Sequence, residues 1–306
     1  MAILRDQLKI LHQTVSQGWM QKQVQVPSQK TIRGENGMFK FEKMAVFNIF
    51  RLVSVLLIVL NILGGHAEQV FAHARTYVWN QEYQTLPQGT FELESHTQVK
   101  VPAMGKHSSE NSWRYEEELE YGVTDHLNVA HYQQWETSNH EGLDENGVPN
   151  KDVTRYAGFK FESKYRIGEK GKYWVDPLLY FEYEYESQER KDGAPQVIEG
   201  KIVLSKDFGK FNANYNQIME SKLGHKGRTE HEYTLGLNYE ILEGFRAGME
   251  MKGQYWNPGS NRNEIALGPT VAYEGKYFWV ALGVLMGANH AADDFQGRVS
   301  VGIPIG

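Results

Sequence analysis

Between residue 90 and the end of the chain, apolar and polar side chains alternate with a period of two, and the pattern returns twelve times. This feature constrains the fold most, because only a strand places successive side chains on opposite faces. Phe91, Leu93, Val99 and Val101 share one face of the first run, and Glu92, Glu94, His96, Gln98 and Lys100 share the other. Strands are expected at 90–101, 112–121, 126–137, 153–167, 173–186, 196–206, 210–221, 229–241, 245–256, 263–274, 277–287 and 295–303. Most are 10–15 residues long. Strands of globular sheets average about 5–6 residues, whereas a tilted membrane crossing needs about 9–11.

The connections alternate too. Longer ones fall at 102–111, 138–152, 187–195, 222–228, 257–262 and 288–294, and shorter ones at 122–125, 168–172, 207–209, 242–244 and 275–276. Each short connection contains a glycine. Short turns at one end and long loops at the other are the layout of an outer-membrane barrel. The expected fold is all-β: a closed antiparallel up-and-down transmembrane barrel of about 12 strands, one domain over 75–306. An even strand number puts both of its ends on the periplasmic side.

The part before the strands is of another kind. A 13-residue apolar run follows Arg51, with Lys40 and Lys43 ahead of it and small-x-small sites at Gly65-His66-Ala67 and Ala72-His73-Ala74 behind it. That arrangement reads as a secretory signal over 38–74, too short for the ~20 residues of a spanning helix. Residues 1–37 read as an over-extended start, Met38 or Met44 being better placed. Cleavage is expected after Ala67 or Ala74.

Charge and composition exclude several classes. The chain has no cysteine, which removes disulfide scaffolds and thiolate metal sites. Residues 75–306 carry 24 basic and 34 acidic side chains, an acidic body that phosphate backbones would avoid, so no nucleic-acid partner is expected.

The turns Glu120-Tyr-Gly-Val-Thr-Asp125 and Leu204-Ser-Lys-Asp-Phe-Gly-Lys210, with the stretch Thr85-Leu-Pro-Gln-Gly-Thr-Phe-Glu-Leu-Glu94, carry a resemblance. The chain resembles Gram-negative outer-membrane β-barrels, and loosely the phenol-degradation-type outer-membrane proteins among them, over roughly 80–306. The resemblance implies outer-membrane lipid and lipopolysaccharide as surroundings, and periplasmic chaperones and the barrel-assembly machinery as partners. Many such barrels end in an aromatic residue read by that machinery; here the last residues are Val301-Gly-Ile-Pro-Ile-Gly306.

The polar face is assigned to the lumen and the apolar face to lipid. Nineteen acidic and nine basic side chains fall on the polar face, against one mid-strand charge, Glu117, on the apolar face. Lys160, Glu162, Lys164, Arg166, Glu182, Glu184, Glu230, Glu232, Arg246, Glu250, Lys252 and Arg298 are the candidate pore-lining residues. Small inward residues late in the chain, among them Gly268, Ala272, Ala281, Gly283, Gly287, Ser300 and Gly302, are expected to leave open space opposite the long side chains of strands two to six. Tyr121, Tyr165, Tyr185, Tyr239, Tyr255 and Tyr273 fit an interfacial aromatic girdle.

No catalytic motif stands out. His107-Ser108-Ser109 has a His-x-Ser spacing, but in a loop where spacing imposes no geometry. Asp144-Glu-Asn-Gly147 lacks most ligands of a calcium loop, and no histidine spacing suits a metal. No cofactor, metal or enzymatic activity is expected. The sequence points to a small passive channel or uptake porin for small solutes, with a weak preference for cations. The alternatives are a plugged barrel acting as surface scaffold or receptor and, more distantly, a membrane-embedded lipid hydrolase.

Overall fold

A computed structural model describes residues 74–103, 111–138, 153–187, 196–224, 229–255 and 263–305. The expected His107–Ser109 and Asp144–Gly147 stretches, and nearly all of the signal segment, lie outside these residues. Twelve strands form: β1 (Phe91–Val101), β2 (Ser112–Thr124), β3 (Leu127–Ser138), β4 (Val153–Arg166), β5 (Asp176–Glu186), β6 (Gln196–Phe208), β7 (Phe211–Leu223), β8 (Thr229–Leu242), β9 (Phe245–Tyr255), β10 (Glu264–Glu274), β11 (Trp279–Gly287) and β12 (Phe295–Ile305). Each pairs antiparallel with its neighbours in sequence, and β1 closes the ring on β12 from Phe91↔Ile305 to Val101↔Phe295. Closure leaves no free edge to recruit another chain.

One connection departs from the expected layout. β5 begins at Asp176 rather than 173, so the turn after β4 spans 167–175 and rivals the long loops. The reason is local. The Asp176 carboxylate accepts the Gly171 N–H at 2.7 Å, and Gly168 and Gly171 both adopt positive φ, which closes a compact turn where strand pairing was expected. A bulge in β4 is glycine-dependent as well: Gly158 has φ 144°, and a Cβ there would collide with the Tyr185 carbonyl.

The two faces follow the assigned register. Phe161 and Phe181 are 53% and 50% exposed on the outer surface, whereas Glu182, one residue along, is 7% exposed. Aromatic pairs ring both ends of that outer surface. Phe91–Tyr121 and Phe211–Tyr239 lie at the short-turn end, each with centroids 4.5 Å apart. Phe159–Tyr185 and His231–Tyr255 lie toward the long-loop end. Two aromatic rings around an apolar band are what a bilayer selects.

Candidate functional site

The lumen is not empty at the short-turn end. Residues 74–90, without helix or strand, fold into it before the chain enters β1. Nothing periodic marks this segment, so its side chains alone predict neither helix nor strand there. It is nonetheless tied to the wall at every few residues.

The central tie is Glu250 on β9, which is 1% exposed. Its carboxylate accepts the backbone N–H groups of Val78, Trp79 and Asn80 at 2.7, 2.8 and 2.9 Å. The Asn80 amide at 3.1 Å and the Thr270 hydroxyl at 2.7 Å complete five donors. Three consecutive backbone donors converging on one carboxylate form a nest with the charge supplied by the wall. The irregular turn thereby satisfies backbone groups that have no ladder to join.

Arg75 is the second tie. Its guanidinium reaches Glu94 on β1 at 2.8 Å and Glu118 on β2 at 3.2 Å. His96 completes the cluster, 3.0 Å from Glu118 and 2.9 Å from the Ser300 hydroxyl. Glu94, His96 and Glu118 are close enough together to suggest a metal site. Arg75 already neutralises the two carboxylates, so the cluster reads as an ion-pair network.

Further along, the Tyr77 hydroxyl donates to the Asn212 side chain at 2.8 Å. Asn214 donates to the Gln81 carbonyl at 2.7 Å. The Tyr83 hydroxyl donates to the Gly168 carbonyl at 2.6 Å, and Thr85 donates to the Asp125 carbonyl at 2.6 Å. The segment thus touches the turns after β2 and β4 as well as the walls of β7 and β9. Within it, Glu82 accepts both the backbone N–H and the hydroxyl of Thr76, at 2.8 and 2.5 Å. Burial pushes the Glu82 carboxyl up to about 7, against the lowering effect of the Thr76 hydrogen bonds and Arg75.

The space expected beside the small inward residues is therefore occupied, which corrects that expectation. Val78 and Ala74 pack with Ala272, Ala281 and Trp279, and Trp79 lies against this cluster. A Cβ at Gly283 would stand 2.6 Å from the Trp79 ring and 3.0 Å from Val78. One at Gly236 would strike the Tyr77 ring and Asn80. Gly302 is covered by Trp279, whose indole donates to Glu92 at 2.9 Å. The residues are small because the plug and Trp279 need the room.

Above the plug a cavity of about 430 Å³ remains. Its floor is Arg75, Val78, Trp79, Asn80 and Gln81, and its wall carries eleven acidic side chains and, with Arg75, eight basic ones among the described residues. Opposite charges alternate across strands: Lys160 lies 3.3 Å from Glu116 and 3.4 Å from Glu182, Arg298 3.4 Å from Glu116, and Lys252 2.9 Å from Glu232. The Tyr180 hydroxyl lies between two carboxylates, 2.9 Å from Glu162 and 2.6 Å from Glu182, with the Lys201 ammonium 4.0 Å above its ring.

The twelve candidate pore-lining residues divide at this floor. Lys160, Glu162, Glu182, Glu184, Glu230, Glu232, Lys252 and Arg298 line the cavity. Glu250 binds the plug instead. Lys164 is buried between Glu120 and Glu162. Arg166 lies at the short-turn end, donating to the Asp125 carbonyl at 2.9 Å, and Arg246 borders a small pocket at that end with Ala74 and Glu274. Arg75 lines both spaces and so stands between them.

Comparison with known proteins fits this architecture. A family of unknown function, DUF6662, matches residues 69–211. No curated protein matches in sequence. The fold is similar to the COG4313 outer membrane channel from Pseudomonas putida F1, with a TM-score of 0.51 at 12% identity, over 75% of this chain and 100% of that one. The KdgM porin in complex with disordered oligogalacturonate gives 0.45 at 10% identity, over 70% and 98%. Omp33 of Acinetobacter baumannii gives 0.41 at 6% identity, over 71% and 99%. The chain has the outer-membrane barrel fold. At these identities the likeness speaks for the fold alone.

Proposed function

We propose that the protein is an outer-membrane channel for small hydrophilic solutes, gated by the segment that precedes β1. The short-turn end faces the periplasm and the cavity opens toward the long loops. The observation that carries this reading is the polar cavity of about 430 Å³ whose floor is residues 75–81. A scaffold has no need of a hydrophilic, charge-lined chamber that stops at a separate segment hydrogen-bonded to the wall. A small solute fits that chamber, and its onward path runs through the space the plug fills.

The lining also supports a weak cation preference. The whole polar face carries nineteen acidic against nine basic side chains. The plug and Lys164 take up Glu94, Glu118, Glu120 and Glu250, and the cavity itself is lined by eleven acidic and eight basic side chains among the described residues. A small negative excess in a confined passage favours cations and fades in molar salt, where the Debye length is about 3 Å.

Planar-bilayer conductance tests both points. Wild-type protein is expected to conduct in small, intermittent steps, with reversal potentials on the cation side. Glu250→Ala strands three buried backbone donors, at about 1–3 kcal/mol for each unsatisfied group. It should lengthen the open times and enlarge the steps. A permanently closed barrel in both proteins would favour the plugged scaffold or receptor, the reading that the same plug also supports, and anion preference would remove the electrostatic argument.

A further inference from the structure

Glu117 is the one carboxylate among the described residues that points outward midway between the two aromatic rings. The outer face of β2 reads Trp113, Tyr115, Glu117, Leu119, Tyr121, so Glu117 stands at its centre, exposed on the surface that lipid covers. Ser95 on β1 donates to one carboxylate oxygen at 2.9 Å. The other oxygen has no partner among the described residues. Gln133, its register partner on β3, accepts from the Tyr156 hydroxyl at 2.8 Å. The Gln133 amide nitrogen lies 2.6 Å from the His131 ring nitrogen, which uses one of its two hydrogens.

The rest of the belt is different. Phe161, Phe181, Ile202, Leu235 and Leu282 occupy comparable outward positions. Gln217 on β7 also faces out, but its amide donates to the Glu232 carbonyl at 3.1 Å and its oxygen accepts from Tyr215 at 2.7 Å. An acceptor and a donor with spare capacity therefore lie side by side on β2 and β3, at the depth where hydrocarbon offers a partner to neither.

We propose that the outer face of β1–β3 is an interface with a second copy of this chain. Two barrels inserted in the same sense are related by an axis along the membrane normal. An axis passing between β2 and β3 brings Glu117 of each copy opposite Gln133 of the other, acceptor to donor, twice by symmetry. The patch is self-complementary because both halves of the pair sit on it. Polar side chains that bridge spans in this way hold membrane proteins together where apolar area alone does not.

The absence of cysteine makes the test clean. Leu119→Cys, beside the proposed axis, should give a dimer of doubled mass when outer membranes are oxidised. Leu237→Cys, exposed on β8, should not. Adding Glu117→Leu to Leu119→Cys should cut the cross-linked fraction about tenfold, the effect of losing two symmetry-related hydrogen bonds. Absence of a dimer at Leu119→Cys, an equal yield at Leu237→Cys, or an unchanged yield with Glu117→Leu would each overturn the proposal. An adduct to a different protein at Leu119→Cys would overturn it in favour of a hetero-complex. If Glu117→Leu fails to assemble, as judged by its gel mobility without boiling, Glu117→Gln replaces it in the same comparison, with a smaller loss expected.

Discussion

Single side chains record which solvent they meet. Phe161 and Glu182 lie on paired strands, and Glu182 faces Glu162, the residue after Phe161. A shift of one position along the strand is the difference between lipid and lumen. Phe161→Arg or Phe181→Arg is expected to cost ~2–4 kcal/mol near the midplane and to block insertion. Glu182→Gln should assemble normally. Arginine at position 182 would behave differently, because the carboxylate lies 3.4 Å from Lys160 and a second cation would oppose that ammonium, while the neutral isostere only loses a pair. Gel shift of the folded protein before boiling, compared across the three variants, measures this. Equal behaviour of Phe161→Arg and Glu182→Gln would contradict the assigned faces.

At the scale of elements, the plug is the part with the least internal structure and the most titratable anchoring. Glu82 belongs to it and bonds within it, to Thr76. Its carboxyl is raised from the ordinary 4.5 to about 7 because burial disfavours the charge. An acid raised on docking stabilises the docked form fully below its free value, and that contribution is lost as pH rises through the docked value. The plug should therefore be seated more firmly at pH 5 than at pH 8, and open events in bilayers should become more frequent over that interval. Glu82→Gln, neutral throughout, should flatten this part of the response. A pH dependence identical to wild type would assign it to other carboxylates. Fit constrains the plug as well as charge. Gly283→Leu would occupy the site of Trp79 and Val78, so this variant should expose the segment to protease cleavage after Arg75 while the barrel itself remains resistant.

For the whole molecule, closure dominates. β1 meets β12 along the full length of both strands, so unfolding has to break a continuous ring of ladders. The folded protein should migrate faster on unboiled gels than on boiled ones, and equal mobility would mean that the ring does not close in the membrane. This closure is reached although β12 ends near Ile305 with no aromatic side chain at its last residues.

The strand number, the faces of each strand and most turns were legible in the sequence, because a strand's solvent environment is written locally, at every second residue. The exceptions were local too: Gly168, Gly171 and Asp176 make a turn where alternation suggested β5 had begun. The charged inward face was also legible, and eight of the twelve candidate residues lie around the cavity. The plug was not. Residues 74–90 have no period, and Val78 finds its partner Glu250 a full 172 positions away. Traces of the fit were present in the uncharged inward row Asn212, Asn214 and Asn216 and in Gly236 and Gly283, each of which reads alone as spare room. Periodicity specifies which way a side chain points. Only the closed barrel brings the backbone donors of one irregular segment onto a carboxylate of the far wall, and that meeting decides that the lumen is a chamber with a floor rather than an open pore.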